Sequence, residues 1–283
     1  GLTWKLAMWG SSRDARILHR VEHNHDGDFK AFCEKKGLSV YEGVHLRPFS
    51  PAQANDLERH PDLAGKEKVD FRKLKGVGRI FTFPPAALTR IRPEESYIRK
   101  RGGYAGLKVS HPPHLVVDSS RRFAVFSNRF ILIPKSQLGI KGPRGSEDYL
   151  RFLSLYLTSD FCTYHQFFQS AEWGVGRNVA YLETLNALPV PNIDDTGLEL
   201  SEWRNMHKSL VSLSEKRFRS SGFQQSERAA FEKSIAEMNN SVFDLLGLRE
   251  HERWLIRDFI TFTLELNKGK VTQRTSATPT IEQ

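Results

Sequence analysis

The stretch His111-Pro-Pro-His-Leu-Val-Val-Asp118-Ser-Ser-Arg-Arg122-Phe-Ala-Val-Phe126-Ser-Asn-Arg129-Phe-Ile-Leu-Ile-Pro134 decides the fold class. It holds three β-prone runs, His114–Asp118, Arg122–Phe126 and Arg129–Pro134, separated by Ser119-Ser120-Arg121 and Ser127-Asn128. Short polar connections of this kind join antiparallel strands. A three-stranded meander is therefore expected, with its cationic residues at or near the turns. Arg79–Phe83 is a further candidate strand.

Downstream the hydrophobic period changes. Tyr149, Phe152, Leu153 and Tyr156 make one helical stripe behind the acidic first turn Glu147-Asp148, and Phe161, Tyr164 and Phe168 continue it from about Ser159. Leu188-Pro-Val-Pro-Asn192 cannot be helical, because each proline holds its predecessor extended. An acidic linker with Asp194, Asp195 and Gly197 follows. Three more helices are expected, on the stripes Trp203/Met206/Leu210/Leu213, Phe231/Ile235/Met238/Val242/Leu245 and Leu255/Phe259/Phe262/Leu266. Upstream, Arg13–Arg20 and Asp26–Lys36 predict short helices, the second ended by Gly37, and residues 45–78 read mainly as loop.

The expected architecture is α+β: a small mixed or antiparallel sheet with flanking helices, followed by a helical C-terminal unit. The divisions are residues 1–78 (entry segment with helices and loop), 79–195 (sheet and aromatic helices), 196–270 (helical packing or spacer unit) and 271–283 (tail).

Charge supplies the functional clue. The 283 residues carry 42 Lys and Arg against 33 Asp and Glu, a net of +9. Leu88–Arg151 alone holds 13 basic and 5 acidic residues, a net of +8, so the rest of the chain is almost neutral. A cationic segment this concentrated points to an anionic polymer, nucleic acid above all. No apolar stretch approaches the roughly 20 residues that span a bilayer, and no secretory leader is read at the start. Two cysteines, Cys33 and Cys162, make no disulfide scaffold and fit a reducing compartment.

Catalytic signatures are not found. Gly76-Val-Gly78 and Gly174-Val-Gly176 are isolated pairs without the strand and helix of a nucleotide-binding fingerprint, and there is neither a phosphate loop nor a nucleophile elbow. His23-Asn-His25 reads as a solvated polar stretch rather than a metal site.

The order of features from Tyr97 to Asn192 carries a resemblance. A basic, glycine-containing segment (Arg99-Lys-Arg-Gly-Gly-Tyr104) leads into strands. Leu153-Ser-Leu-Tyr156-Leu-Thr-Ser159, Ser170-Ala-Glu-Trp173-Gly174-Val-Gly-Arg177 and Leu188-Pro-Val-Pro191 follow. This resembles the target recognition region of adenine-N6 DNA methyltransferases of restriction–modification and phage-defence systems. Trp4-Lys5 with Met8-Trp-Gly10 and Asp14 is similar to the segment where such proteins leave their catalytic domain.

The resemblance implies sequence-specific recognition of double-stranded DNA in a prokaryotic cytoplasm, close to the nucleoid. It implies no catalysis here. That family flips adenine into a loop with a polar residue before Pro-Pro and an aromatic ring after it. The chain offers only Phe83-Pro-Pro-Ala86 and His111-Pro-Pro-His114. S-adenosylmethionine would then belong to a catalytic domain or partner subunit outside this sequence. A stand-alone nucleic-acid-binding or protein-interaction module is the other reading.

On the DNA reading, Arg99, Lys100, Arg101 and Lys108 contact the backbone, and the glycines at 102, 103 and 106 let their loop approach a phosphate. Arg121, Arg122, Arg129, Lys141 and Arg144, at strand turns and the following loop, are candidates for bidentate contacts to guanine, with Arg177 beyond them.

Overall fold

The structure, a computed structural model, describes residues 2–24, 27–120, 122–173, 181–193, 200–219 and 225–267. Arg121, the turn from Gly174 through Arg177, the acidic linker and the tail lie outside the described residues, as does the side chain of Arg101.

Three helices open the chain: α1 (Leu2–Trp9), α2 (Ser12–Asn24) and α3 (Phe29–Lys35). Asp28 caps α3 by accepting from the Ala31 amide at 2.8 Å, and Gly37 ends it in the left-handed region at φ +64°. Six short strands follow: β1 (Ser39–Glu42), β2 (Leu46–Arg47), β3 (Leu57–Arg59), β4 (Glu67–Val69), β5 (Leu88–Arg90) and β6 (Tyr97–Arg99). Residues 45–78 are thus more ordered than their composition suggests. Strands β2 and β3 flank β6, and β4 pairs with β5.

Next come α4 (Lys100–Lys108), β7 (His114–Val117), β8 (Ala124–Ser127) and β9 (Leu138–Lys141). The remaining helices are α5 (Glu147–Thr158), α6 (Asp160–Gln169), α7 (Leu182–Asn186), α8 (Leu200–Arg219), α9 (Gln225–Leu245), α10 (Glu250–Asp258) and α11 (Leu264–Asn267), with a π-helical turn at Phe259–Thr263. The class is α+β, with small antiparallel sheets flanked by helices.

The main sheet has the order β1-β9-β7-β8, antiparallel throughout. Its centre is β7, buried on both faces: Leu115 and Val117 join the core under the helices, whereas Val116 joins a second core with Phe123, Val125 and Ile80. The hairpin expected from His114–Asp118 and Arg122–Phe126 is present, displaced to Ala124–Ser127 in its second strand.

The third meander strand is not where Arg129–Pro134 predicts it. That segment scatters its hydrogen bonds: Ile131 N donates to Ser110 O, Leu132 N donates to Glu67 O, and Ile133 O accepts from Val44 N. It staples the small sheets together, and the true neighbour of β7 is β9. Arg79–Phe83 is no strand either. Ile80, Phe81 and Phe83 insert into the cores, and the Val77 and Arg79 carbonyls accept from the Arg217 guanidinium at 2.7 and 3.4 Å.

The helical side behaves largely as the stripes dictate. Ser159 caps α6, and Trp203, Leu210, Phe231, Met238 and Val242 are buried. The last stripe is the exception. The π turn adds a residue, so Ile256, Phe259 and Leu264 face inward while Phe262 is 61% exposed. One large apolar cluster runs from Ile17 to Leu264 and includes residues of α2, α5, α6, α8, α9 and α10.

Candidate nucleic-acid interface

Helix α4 is where the fold and the cationic segment meet. The glycine-containing stretch expected as a loop is a helix, and its glycines serve packing within the protein. A Cβ at Gly106 would lie 2.7 Å from the Glu42 carbonyl oxygen and 2.8 Å from that of Gly43, and one at Gly103 would lie 2.9 Å from Ile98 Cγ2. With that face pressed onto the small strands, Lys100, Tyr104 and Lys108 lie at four-residue spacing on the opposite, exposed face. Successive members are about 6 Å apart along the axis. Arg99, at the helix start, is exposed as well. Arg99, Lys100 and Lys108 make no ion pair among the described residues. Tyr104 reaches Glu58, donating to its carboxylate at 2.7 Å.

Beside this helix lies a groove of about 840 Å³, lined by both small sheets and the 132–136 segment. Its cations include Lys68, Arg72, Arg90, Arg92 and Lys135, against Glu42, Asp70 and Glu95. Part of that charge is neutralised: Glu95 pairs with Lys68 and Arg92, both at 2.6 Å, and Arg72 pairs with Asp70 at 3.0 Å. The two cations hold the Glu95 carboxyl down at about 2. Arg90 and Lys135 are exposed and enter no ion pair among the described residues. His45, also on the lining, is pushed below its usual value by burial and by Arg47, Arg99 and Lys135.

The remaining candidates divide. Arg122 is committed to the fold: its guanidinium grips Asp118 at 2.8 Å and donates to the Leu74 carbonyl at 3.0 Å, so it pins the β7–β8 turn. Arg129 is exposed and paired with Glu67 at 3.0 Å, within reach of competition from a phosphate. Lys141 ends β9, half-buried opposite His114. Arg144 is exposed in the loop before α5, with no ion pair among the described residues. Trp173 is packed, 3% exposed, against Phe167.

No family model matches the chain, and no curated protein matches it significantly. The geometry therefore carries the functional reading.

Sequence reasoning missed His45, Arg90 and Lys135 as parts of one site. Arg90 and Lys135 belong to the cationic Leu88–Arg151 segment and His45 lies far upstream of it, and only the pairing of distant strands brings the three onto one lining. The two Pro-Pro sites are structural: Phe83 is packed in a core, Pro85–Ala87 is a 3-10 turn, and His114 is fully buried. Among the described residues no helix is long and apolar enough to cross a membrane.

Proposed function

We propose that this chain binds double-stranded DNA along the face formed by α4 and the adjoining groove, as the target recognition part of an adenine-N6 DNA methyltransferase. The observation that carries the reading is the row Arg99, Lys100 and Lys108, exposed and without ion pairs among the described residues, beside a groove that adds Arg90 and Lys135. Uncompensated cations held on a rigid helix suit sequence-independent phosphate contacts. Groove side chains on paired strands suit base reading, because their positions are set by backbone hydrogen bonds rather than by a loop.

Methyl transfer, and with it S-adenosylmethionine, belongs on this reading to a catalytic domain or subunit outside these 283 residues. A cytoplasmic, nucleoid-associated location follows from the same reading.

The test is duplex binding by fluorescence anisotropy across salt concentrations, followed by selection from a duplex library with the catalytic partner present. Neutralising roughly five phosphates gives a slope of log K against log salt of about −4 to −5. Salt-independent binding, or none to any duplex, rejects the proposal. A salt-dependent slope without enrichment of any sequence leaves nucleic-acid binding and removes target recognition.

A further inference from the structure

A second cationic site lies between α2 and α10 and shares no residue with the groove. Arg13, Arg16 and Arg20 occur at i, i+3 and i+7 on α2, which puts them on one face of that helix. They line a cavity of about 300 Å³ together with Arg249 and His251, and Glu252 is the one carboxylate on its lining. Four arginines therefore line one cavity with a single carboxylate.

Glu252 is already spent. Its carboxylate accepts from the Arg20 guanidinium and from the Arg249 amide at 2.7 Å. Those donors, aided by His251, hold it below the usual carboxylate range although burial acts the other way. Arg20 is fixed further by donating to the Gly247 carbonyl at 3.3 Å, while its Nε is buried with no hydrogen-bond partner among the described residues. Arg13, Arg16 and Arg249 are exposed, and their guanidinium groups enter no ion pair among the described residues. The positive end of α10, a nine-residue helix, opens at the same place.

Like charges on one lining oppose folding, and on this lining only Glu252, paired with Arg20, offsets them. An anion offsets the rest. We propose that this cavity binds a small phosphate ester or condensed phosphate, up to the size of a nucleotide. Planar guanidinium forks match phosphate oxygens in pairs, and a helix N-terminus adds unsatisfied amides. The volume is at the lower end for small-ligand pockets. A duplex is the poorer fit, because it presents phosphates in a line whereas these arginines line one cavity of about 300 Å³.

Isothermal titration of the full chain with pyrophosphate, ADP, inorganic phosphate and sulfate tests this. Pyrophosphate or ADP is expected to bind at one site, with a Kd of about 100 µM or tighter. Arg16→Ala and Arg249→Ala each weaken binding about tenfold, while Arg90→Ala in the groove leaves it unchanged. Arg16 and Arg249 are exposed, so both variants are expected to fold, which circular dichroism checks. Three outcomes overturn the proposal: no saturable binding by about 10 mM ligand, sulfate binding as tightly as pyrophosphate, or displacement of the bound probe by duplex DNA. Failure of duplex binding at the groove leaves it standing, because the two sites have no side chain in common.

Discussion

The hydroxyl of Tyr156 donates to the main-chain carbonyl of Pro189, so two segments that carry the methyltransferase resemblance meet inside the core. The same proline-rich segment is held by Phe29 N donating to Leu188 O at 2.7 Å and by Val190 N donating to Gly27 O at 3.2 Å. An extended strand-like piece cannot bond to itself, and here its polar backbone is satisfied by a tyrosine and by the entry to α3.

Tyr156→Phe tests that role. It leaves the Pro189 carbonyl buried without its donor, at a cost of about 1–3 kcal/mol in urea unfolding. Duplex affinity measured on the folded variant is expected to be unchanged, because Tyr156 is fully buried. A large loss of affinity at unchanged stability would contradict a purely architectural role.

Gly106→Ala examines the seat of α4. Alanine normally favours a helix by about 1 kcal/mol over glycine. Here the added carbon meets backbone atoms of residues 42 and 43 at under 3 Å, which must move aside. Overpacking of this kind costs about 1–3 kcal/mol, so net destabilisation is expected, with weaker DNA binding from a displaced α4. A gain in denaturation midpoint would refute the packing argument.

Arg99, Lys100 and Lys108 are expected to act differently from Arg122. Each of the first three changed to Ala weakens binding to all duplexes alike and reduces the salt slope by about 1, with stability within about 0.5 kcal/mol of the parent. Arg122→Ala strips the nearly buried Asp118 of its guanidinium and frees the 74–122 contact, so its main effect is a loss of about 2 kcal/mol of stability. Comparing denaturation with anisotropy for the four variants separates the two roles.

His114 and His207 set a pH dependence. Burial pushes both imidazoles down to about 3, with His111 and Lys141 adding to the effect at His114 and Arg151 at His207. Both ring nitrogens of His114 lack a hydrogen-bond partner among the described residues. In the unfolded chain each side chain titrates near 6.5. The unfolded state therefore binds more protons below that pH. The stability from each neutral ring is fully present above about pH 6.5 and is lost as pH falls towards 3. Between pH 7 and pH 5 each histidine removes about 2 kcal/mol. His207→Leu should therefore flatten the urea-derived stability profile over that interval, and an unaltered profile would exclude His207 as a source.

The local periods were readable without coordinates. The helical stripes of α5, α6, α8 and α9, the start of α6 near Ser159 and the terminating Gly37 each follow from nearest-neighbour geometry along one element. So does the β7–β8 hairpin, whose residues alternate across a two-residue repeat. The cationic excess between Leu88 and Arg151 was equally plain, being a matter of composition.

What tertiary structure decided was every pairing between distant segments. Arg129–Pro134 has the apolar content of a strand, yet its amides are taken up by Ser110 and Glu67, its Ile133 carbonyl accepts from Val44 N, and β9 occupies the place beside β7. The glycines of α4 suggested a loop for a ligand until contact with Glu42 and Gly43 gave them a packing role. Arg122 and Arg99 are the same residue type in the same basic run, and only the folded chain commits one to Asp118 and leaves the other exposed, with no ion pair among the described residues. Sequence determines what a side chain can do through its charge and its local period; which partner it meets depends on contacts across scores of residues, and that is set by packing.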